Sequence, residues 1–104
     1  MRHFILDENH IVQPCDDLMA FARWFETADR HVGKTQIGEA LVSTVFLGFD
    51  HRYGEGPPIL FETMIFGSPL ADYERRCCTW AQAEQQHEEA CRLLRAEMTL
   101  SSSS

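Results

Sequence analysis

The chain has 104 residues, enough for one domain with a modest core. Its 16 acidic and 9 basic residues leave a net charge of −7, which argues against direct nucleic-acid binding and against docking on an anionic membrane, since both need a basic face. Hydrophobic residues make up 44%, the share of an ordinary globular fold, and no apolar run is long enough to cross a bilayer.

His3-Phe4-Ile5-Leu6 and Ile11-Val12-Gln13 flank the polar turn Asp7-Glu8-Asn9-His10, which predicts a small hairpin closed by Pro14. Asp16 or Asp17 then offers an N-cap, and Leu18, Phe21, Ala22, Phe25 and Ala28 recur at helical spacing, so a first helix is expected from about Asp17 to Asp29. A strand follows from Arg30 to Ile37, with a turn at Gly38-Glu39. The stretches Ala40 to Phe49 and Ile59 to Phe66 are apolar on both alternating faces, as in central strands, and together predict a long antiparallel hairpin. Gly67-Ser68-Pro69 breaks the second strand, and Asp72 to Cys78 predicts a further one, in which Cys77 and Cys78 point to opposite faces.

Thr79-Trp80-Ala81-Gln82 has the form of a capping box. Behind it Trp80, Ala83, His87, Ala90, Cys91, Leu94 and Met98 mark one face of a second helix, while Glu88 and Arg92 stand at ion-pair spacing on its polar side. Ser101 to Ser104 is expected to be a disordered tail after a single domain over residues 1–100. The expected fold class is α+β, an antiparallel β-sheet with two α-helices packed against it.

Met1 to Asp7 holds too short an apolar run for a secretory signal, and Cys15, Cys77, Cys78 and Cys91 show neither a CxxC pair nor zinc spacing. A cytoplasmic chain with four reduced thiols is expected.

The densest group of functional side chains is the hairpin connection Asp50-His51-Arg52-Tyr53-Gly54-Glu55-Gly56. Asp50 beside His51 has the elements of a proton-transfer pair, but no nucleophile accompanies them. Asp50, His51, Glu62 and His87 offer ligands that suit zinc or iron, without the helical spacing of a zinc motif; His87 lies on the apolar stripe, where a hydrogen-bonded, half-buried role is expected. Gly54-Glu55-Gly56 is followed by two prolines and a strand rather than by a helix, so it fits a turn with positive φ better than a phosphate loop. Tyr and Arg anchor protein interfaces, which makes Arg52 and Tyr53, with Asp50, His51 and Glu55, candidate contact residues. Glu84, Glu88 and Glu89 add acidic contacts from the second helix, and with Asp16, Asp17, Glu26 and Asp29 would make one side of the molecule strongly negative if both helices shared it. No catalytic residue, cofactor or metal is assigned, and the chain is expected not to be an enzyme.

The blocks Phe21 to Arg30, Val42 to His51 and Gly56 to Gly67, continued by Thr79-Trp80 and the helix carrying His87, resemble a family of small proteins encoded by tailed phages and prophages. The similarity covers roughly residues 18 to 92, and the chain departs from the family pattern at Cys77-Cys78 and just before His87. The resemblance implies an accessory protein in a bacterial host cytoplasm that binds and inhibits a host protein with a basic surface, for example as an anti-CRISPR-type inhibitor of a nucleic-acid-binding defence complex. Two alternatives stand beside it: a small enzyme or ligand- or metal-binding domain using Asp50, His51, Glu62 and His87, and an oligomeric phage structural or assembly protein joined through a sheet edge. A homodimer is compatible with each.

Overall fold

The computed structural model describes residues 2–50 and 54–102. In chain order the elements are β1 (Phe4–Leu6), β2 (Val12–Pro14), α1 (Leu18–Thr27), β3 (His31–Ile37), β4 (Ala40–Phe46), β5 (Phe61–Phe66), β6 (Glu74–Cys77) and α2 (Trp80–Ser102). The fold is α+β. Strands β1 and β2 form an antiparallel hairpin, and β3, β4, β5 and β6 form a four-stranded antiparallel meander. No described helix is long and apolar enough to cross a membrane.

Local chemistry sets most of the boundaries. In the first turn Asp7 Oδ1 accepts the N–H groups of Asn9 at 2.8 Å and Ile11 at 3.0 Å, and His10 takes a φ of 63°. Asp17 is the N-cap of α1, its Oδ1 accepting from the N–H groups of Met19 at 3.0 Å and Ala20 at 3.1 Å. At the start of α2, Thr79 Oγ1 accepts the Gln82 N–H at 3.1 Å, while Gln82 Oε1 accepts the N–H groups of Thr79 at 3.2 Å and Cys78 at 3.1 Å. This is the capping box read from the sequence, with one further donor satisfied. Helix α2 runs through Ser102, two residues into the expected serine tail.

Strand β4 stops at Phe46 rather than Phe49, because Gly48 takes a φ of 82° and its carbonyl turns to accept the Phe4 N–H at 2.8 Å. A side chain at Gly48 would also press on the rings of Phe25 and Phe21 at 3.1 and 3.3 Å. The ladder extends one step past the strands, where Leu47 N–H donates to the Leu60 carbonyl at 2.7 Å.

Each helix packs against a sheet, but not the same one. Helix α2 lies across all four strands of the meander, whereas α1 rests on β1. Only the aromatic part of the α1 stripe is taken up by other rings, with Phe21 4.7 Å from His3 and 5.3 Å from Phe49, centroid to centroid, while Leu18 stays 61% exposed. Trp24 reaches the main sheet, edge-on to Phe46 at 5.7 Å.

The core sits between α2 and the meander. Val42, Thr44 and Phe46 on β4 face Ile65, Thr63 and Phe61 on β5 in register, and all six are fully buried. Burial of each large apolar side chain contributes about 1.5–3 kcal/mol. One cluster gathers Phe4, Leu6, Phe46, Leu60, Phe61, Cys77 and Ala83. A second gathers Ala40, Val42, Ile65, Ala90, Cys91 and Leu94.

Candidate functional site

His87 stands on the inward face of α2, between the two clusters. Its Nδ1 lies 2.8 Å from Thr44 Oγ1, its Nε2 lies 2.8 Å from Thr35 Oγ1, and Thr44 Oγ1 lies 2.8 Å from Thr63 Oγ1. A neutral imidazole has one donor and one acceptor nitrogen, so two hydroxyls satisfy it completely. Burial lowers the pKa of His87 from its ordinary value of 6.5, with Glu88 acting weakly the other way. The ring is seated over Gly33, where a Cβ would come within 2.8 Å of its atoms. The half-buried, hydrogen-bonded role expected for His87 is therefore the one observed. Outward of the ring, Thr35, Glu88, Cys91, Arg92 and Arg95 border a shallow cavity of about 360 Å³.

Of the side chains weighed as a metal or catalytic group, the described ones, Asp50, Glu62 and His87, do not come together. Register pairing puts Glu62 on the face of the meander turned away from α2, opposite Arg76. Arg76 Nε donates to Glu62 Oε2 at 3.0 Å. His87 is on the other face. Asp50 belongs to the base of the hairpin connection, where its Oδ1 accepts the Ile59 N–H at 3.1 Å. His51, with Arg52 and Tyr53, lies outside the described residues. Among the described residues no group of three or more His, Cys, Asp or Glu side chains is placed to hold a metal ion. All four cysteines are unpaired thiols, and burial pushes Cys77 up to about 11, which keeps it protonated and unreactive at neutral pH.

The described contact residues expected from sequence fall at two places. In the hairpin connection, Gly54 and Gly56 take φ values of 79° and 122°, and the space beside each is open to 4 Å. Glu55 between them is exposed. On α2, Glu84, Glu88 and Glu89 are exposed, and among the described residues none has an ion-pair partner. The Glu88–Arg92 pair expected from spacing is not formed. The acids of α1 do not continue those of α2 into one patch, because α1 packs on β1 and not against α2. Two of the acids near α1 are also occupied locally, Asp17 as the helix cap and Asp29 by the His31 N–H at 3.0 Å.

Three features escaped the sequence reading. The threonines of the His87 circuit carried a weak signal, since Thr44, bound to His87, and Thr63, bound to Thr44, fall on inward-facing positions of two apolar strands. Arg30 joins α1 to β4: its Nη1 donates to the Phe46 carbonyl at 3.0 Å, and its guanidinium lies 3.9 Å from the Phe25 ring centroid. His10 stacks on Trp80 at 3.8 Å and 6°, tying the first hairpin to the start of α2. The last two have no local signature, because their partners are 16 and 70 residues away. Compared with known protein families, with characterised proteins and with solved structures, the chain matches none.

Proposed function

We propose that the protein is a non-enzymatic binding protein that docks on a basic protein surface through the N-terminal half of α2 and the 50–55 hairpin connection. The observation that carries this reading is the display of Glu84, Glu88 and Glu89, exposed and without ion-pair partners among the described residues, in a chain of net charge −7. Charges left unpaired on a rigid helix steer association with an oppositely charged partner and cost little to desolvate at an interface rim. The resemblance to phage-encoded proteins supplies the setting: a bacterial cytoplasm, with a nucleic-acid-binding defence complex as the class of target. Occupying a phosphate groove with carboxylates blocks it without chemistry. The enzyme alternative draws less support, since Glu62 and His87 lie on opposite faces of the sheet.

The test is affinity capture from bacterial lysate with the wild-type chain and with Glu84→Lys/Glu88→Lys/Glu89→Lys. The expected result is a basic nucleic-acid-binding protein retained by the wild type. It should be lost on the variant and released near 1 M salt, where the Debye length is about 3 Å. Recovery indifferent to both the variant and salt would remove the basis of this reading.

A further inference from the structure

We infer that a second copy of this chain covers the open face of the four-stranded sheet, giving a two-fold sandwich with the α2 helices outermost. The inference uses a different surface from the proposed docking elements and stands independently of them.

Every described covering element lies on one side of the meander. Helix α2, the β1–β2 hairpin through Phe4 and Leu6, Trp24 of α1, and Leu70 and Tyr73 of the β5–β6 connection all pack into the clusters on the α2 side. The centre of the other face carries Leu41, Ser43 and Val45 on β4 with Glu62, Met64 and Phe66 on β5, none of them buried, and Phe66 is 47% exposed; Lys34 and Gln36 on β3 and Glu74 and Arg76 on β6 flank it. Such an apolar centre is costly to leave in water.

Two of the charges on this face, Lys34 and Glu74, are arranged for self-recognition, while Glu62 and Arg76 pair with each other within the chain. Lys34, Ser43, Met64 and Glu74 form one row across the sheet, directly opposite one another in register. Lys34 stands on the β3 edge and Glu74 on the β6 edge. A two-fold axis parallel to the strands, midway between β4 and β5, exchanges the edges while keeping the row. It sets Lys34 of each copy over Glu74 of the other, Leu41 over Phe66, and Ser43 over Met64. Glu74 Oε1 already receives Arg76 Nη2 at 3.1 Å, which leaves Oε2 for the lysine. Sheets packed face to face normally cross at about 30°, an angle this arrangement tolerates.

The size of the face sets the strength. Four strands about 4.8 Å apart, of 7, 7, 6 and 4 residues, span about 400 Å² in projection. That places the buried area at or below the roughly 800 Å² per partner of a standard interface, so the dimer is concentration-dependent. Edge-to-edge pairing is disfavoured: β3 carries a bulge between His31 and Gly33 as well as Lys34, and β6 is four residues long with three charges.

Lys34 is the only lysine in the sequence, which makes the arrangement directly testable. Carbodiimide treatment of a mixture of isotopically labelled and unlabelled wild-type chains should give a Lys34–Glu74 cross-link between labelled and unlabelled copies. Sedimentation over increasing concentration should show the mass rising toward twice 12.0 kDa. Lys34→Glu and Glu74→Lys, both at exposed positions, should each weaken dimerisation at least tenfold. An equimolar mixture of the two should recover it, because both ion pairs re-form in the heterodimer; Phe66→Asp should abolish it. A wild type that stays monomeric up to millimolar concentration overturns the inference. So does a dimer that neither charge reversal weakens, or a mixture that fails to recover.

Discussion

Threonine hydroxyls hold both ring nitrogens of His87, Thr35 at Nε2 and Thr44 at Nδ1, each at 2.8 Å. Its place on the apolar stripe of α2 was readable from spacing alone, whereas Thr35 and Thr44 come to it from 52 and 43 residues away. No local pattern encodes such a meeting, because register between strands and helix decides it. The same circuit makes the residue a reporter of pH. The folded-state pKa is lowered from 6.5 by burial, so between that folded value and 6.5 the unfolded chain binds more protons than the folded one. Stability is complete above about pH 6.5 and falls as pH drops through and below that value, levelling off under the folded pKa. Glu88 opposes the shift without reversing it. Asp7 and Asp29 are also shifted, but downward from 3.8, and so titrate well below this window. The urea midpoint of the wild type should therefore fall between about pH 8 and about pH 5.5. His87→Gln should show a flatter profile, since the other four histidines are common to both chains. Equal slopes in the two would mean that His87 is as solvated folded as unfolded.

At the level of elements, legibility followed from how local the determinant is. The start of α2 was visible because Thr79 and Gln82 satisfy each other's backbone donors across three residues, and it formed as written. The ends of β4 and β5 were not visible, because they depend on the Gly48 carbonyl turning toward Phe4 from another hairpin. The seat of α1 was missed for a related reason: its aromatic stripe gives an apolar face but does not say which rings will fill it. The α2 cap should carry a measurable share of stability, since the corner also holds the Cys78 N–H and the His10–Trp80 stack. Thr79→Ala should cost about 1 kcal/mol, within the roughly 0.5–2 range for such caps. In a domain of this size that lowers Tm by roughly 4–8 °C, readable by calorimetry. Thr79→Asp, which restores an acceptor at the cap, should recover most of it. A silent Thr79→Ala would place the stability of this corner in the ring stack instead.

Seen as a whole, the molecule has two apolar clusters separated by a polar belt. Along β4 and β5 the inward rows run Val42–Ile65, Thr44–Thr63, Phe46–Phe61, and along α2 His87 falls between Ala83 and Ala90 at the same level. The α+β class was legible, because strand and helix periods segregate along the chain. Which face of the sheet stays open was not, because β4 and β5 are apolar on both. The belt sets up a non-additive series of substitutions. Thr44→Val strands both His87 Nδ1 and the Thr63 hydroxyl in a buried site, at a cost of about 1–3 kcal/mol. His87→Leu alone strands less, since Thr44 and Thr63 keep each other. Replacing the whole belt by Thr44→Val, Thr63→Val and His87→Leu removes every buried polar atom of the circuit at nearly constant volume and merges the clusters. Thr35, only partly buried, can then turn to water. The triple variant should lie within about 1 kcal/mol of the wild type, well short of the sum of its parts, because an unmatched polar group costs more than an absent pair. Chemical denaturation of the three singles and the triple gives the coupling directly. Strict additivity would show that the four side chains do not act as one hydrogen-bonded unit, and that the clusters are held apart by backbone geometry alone.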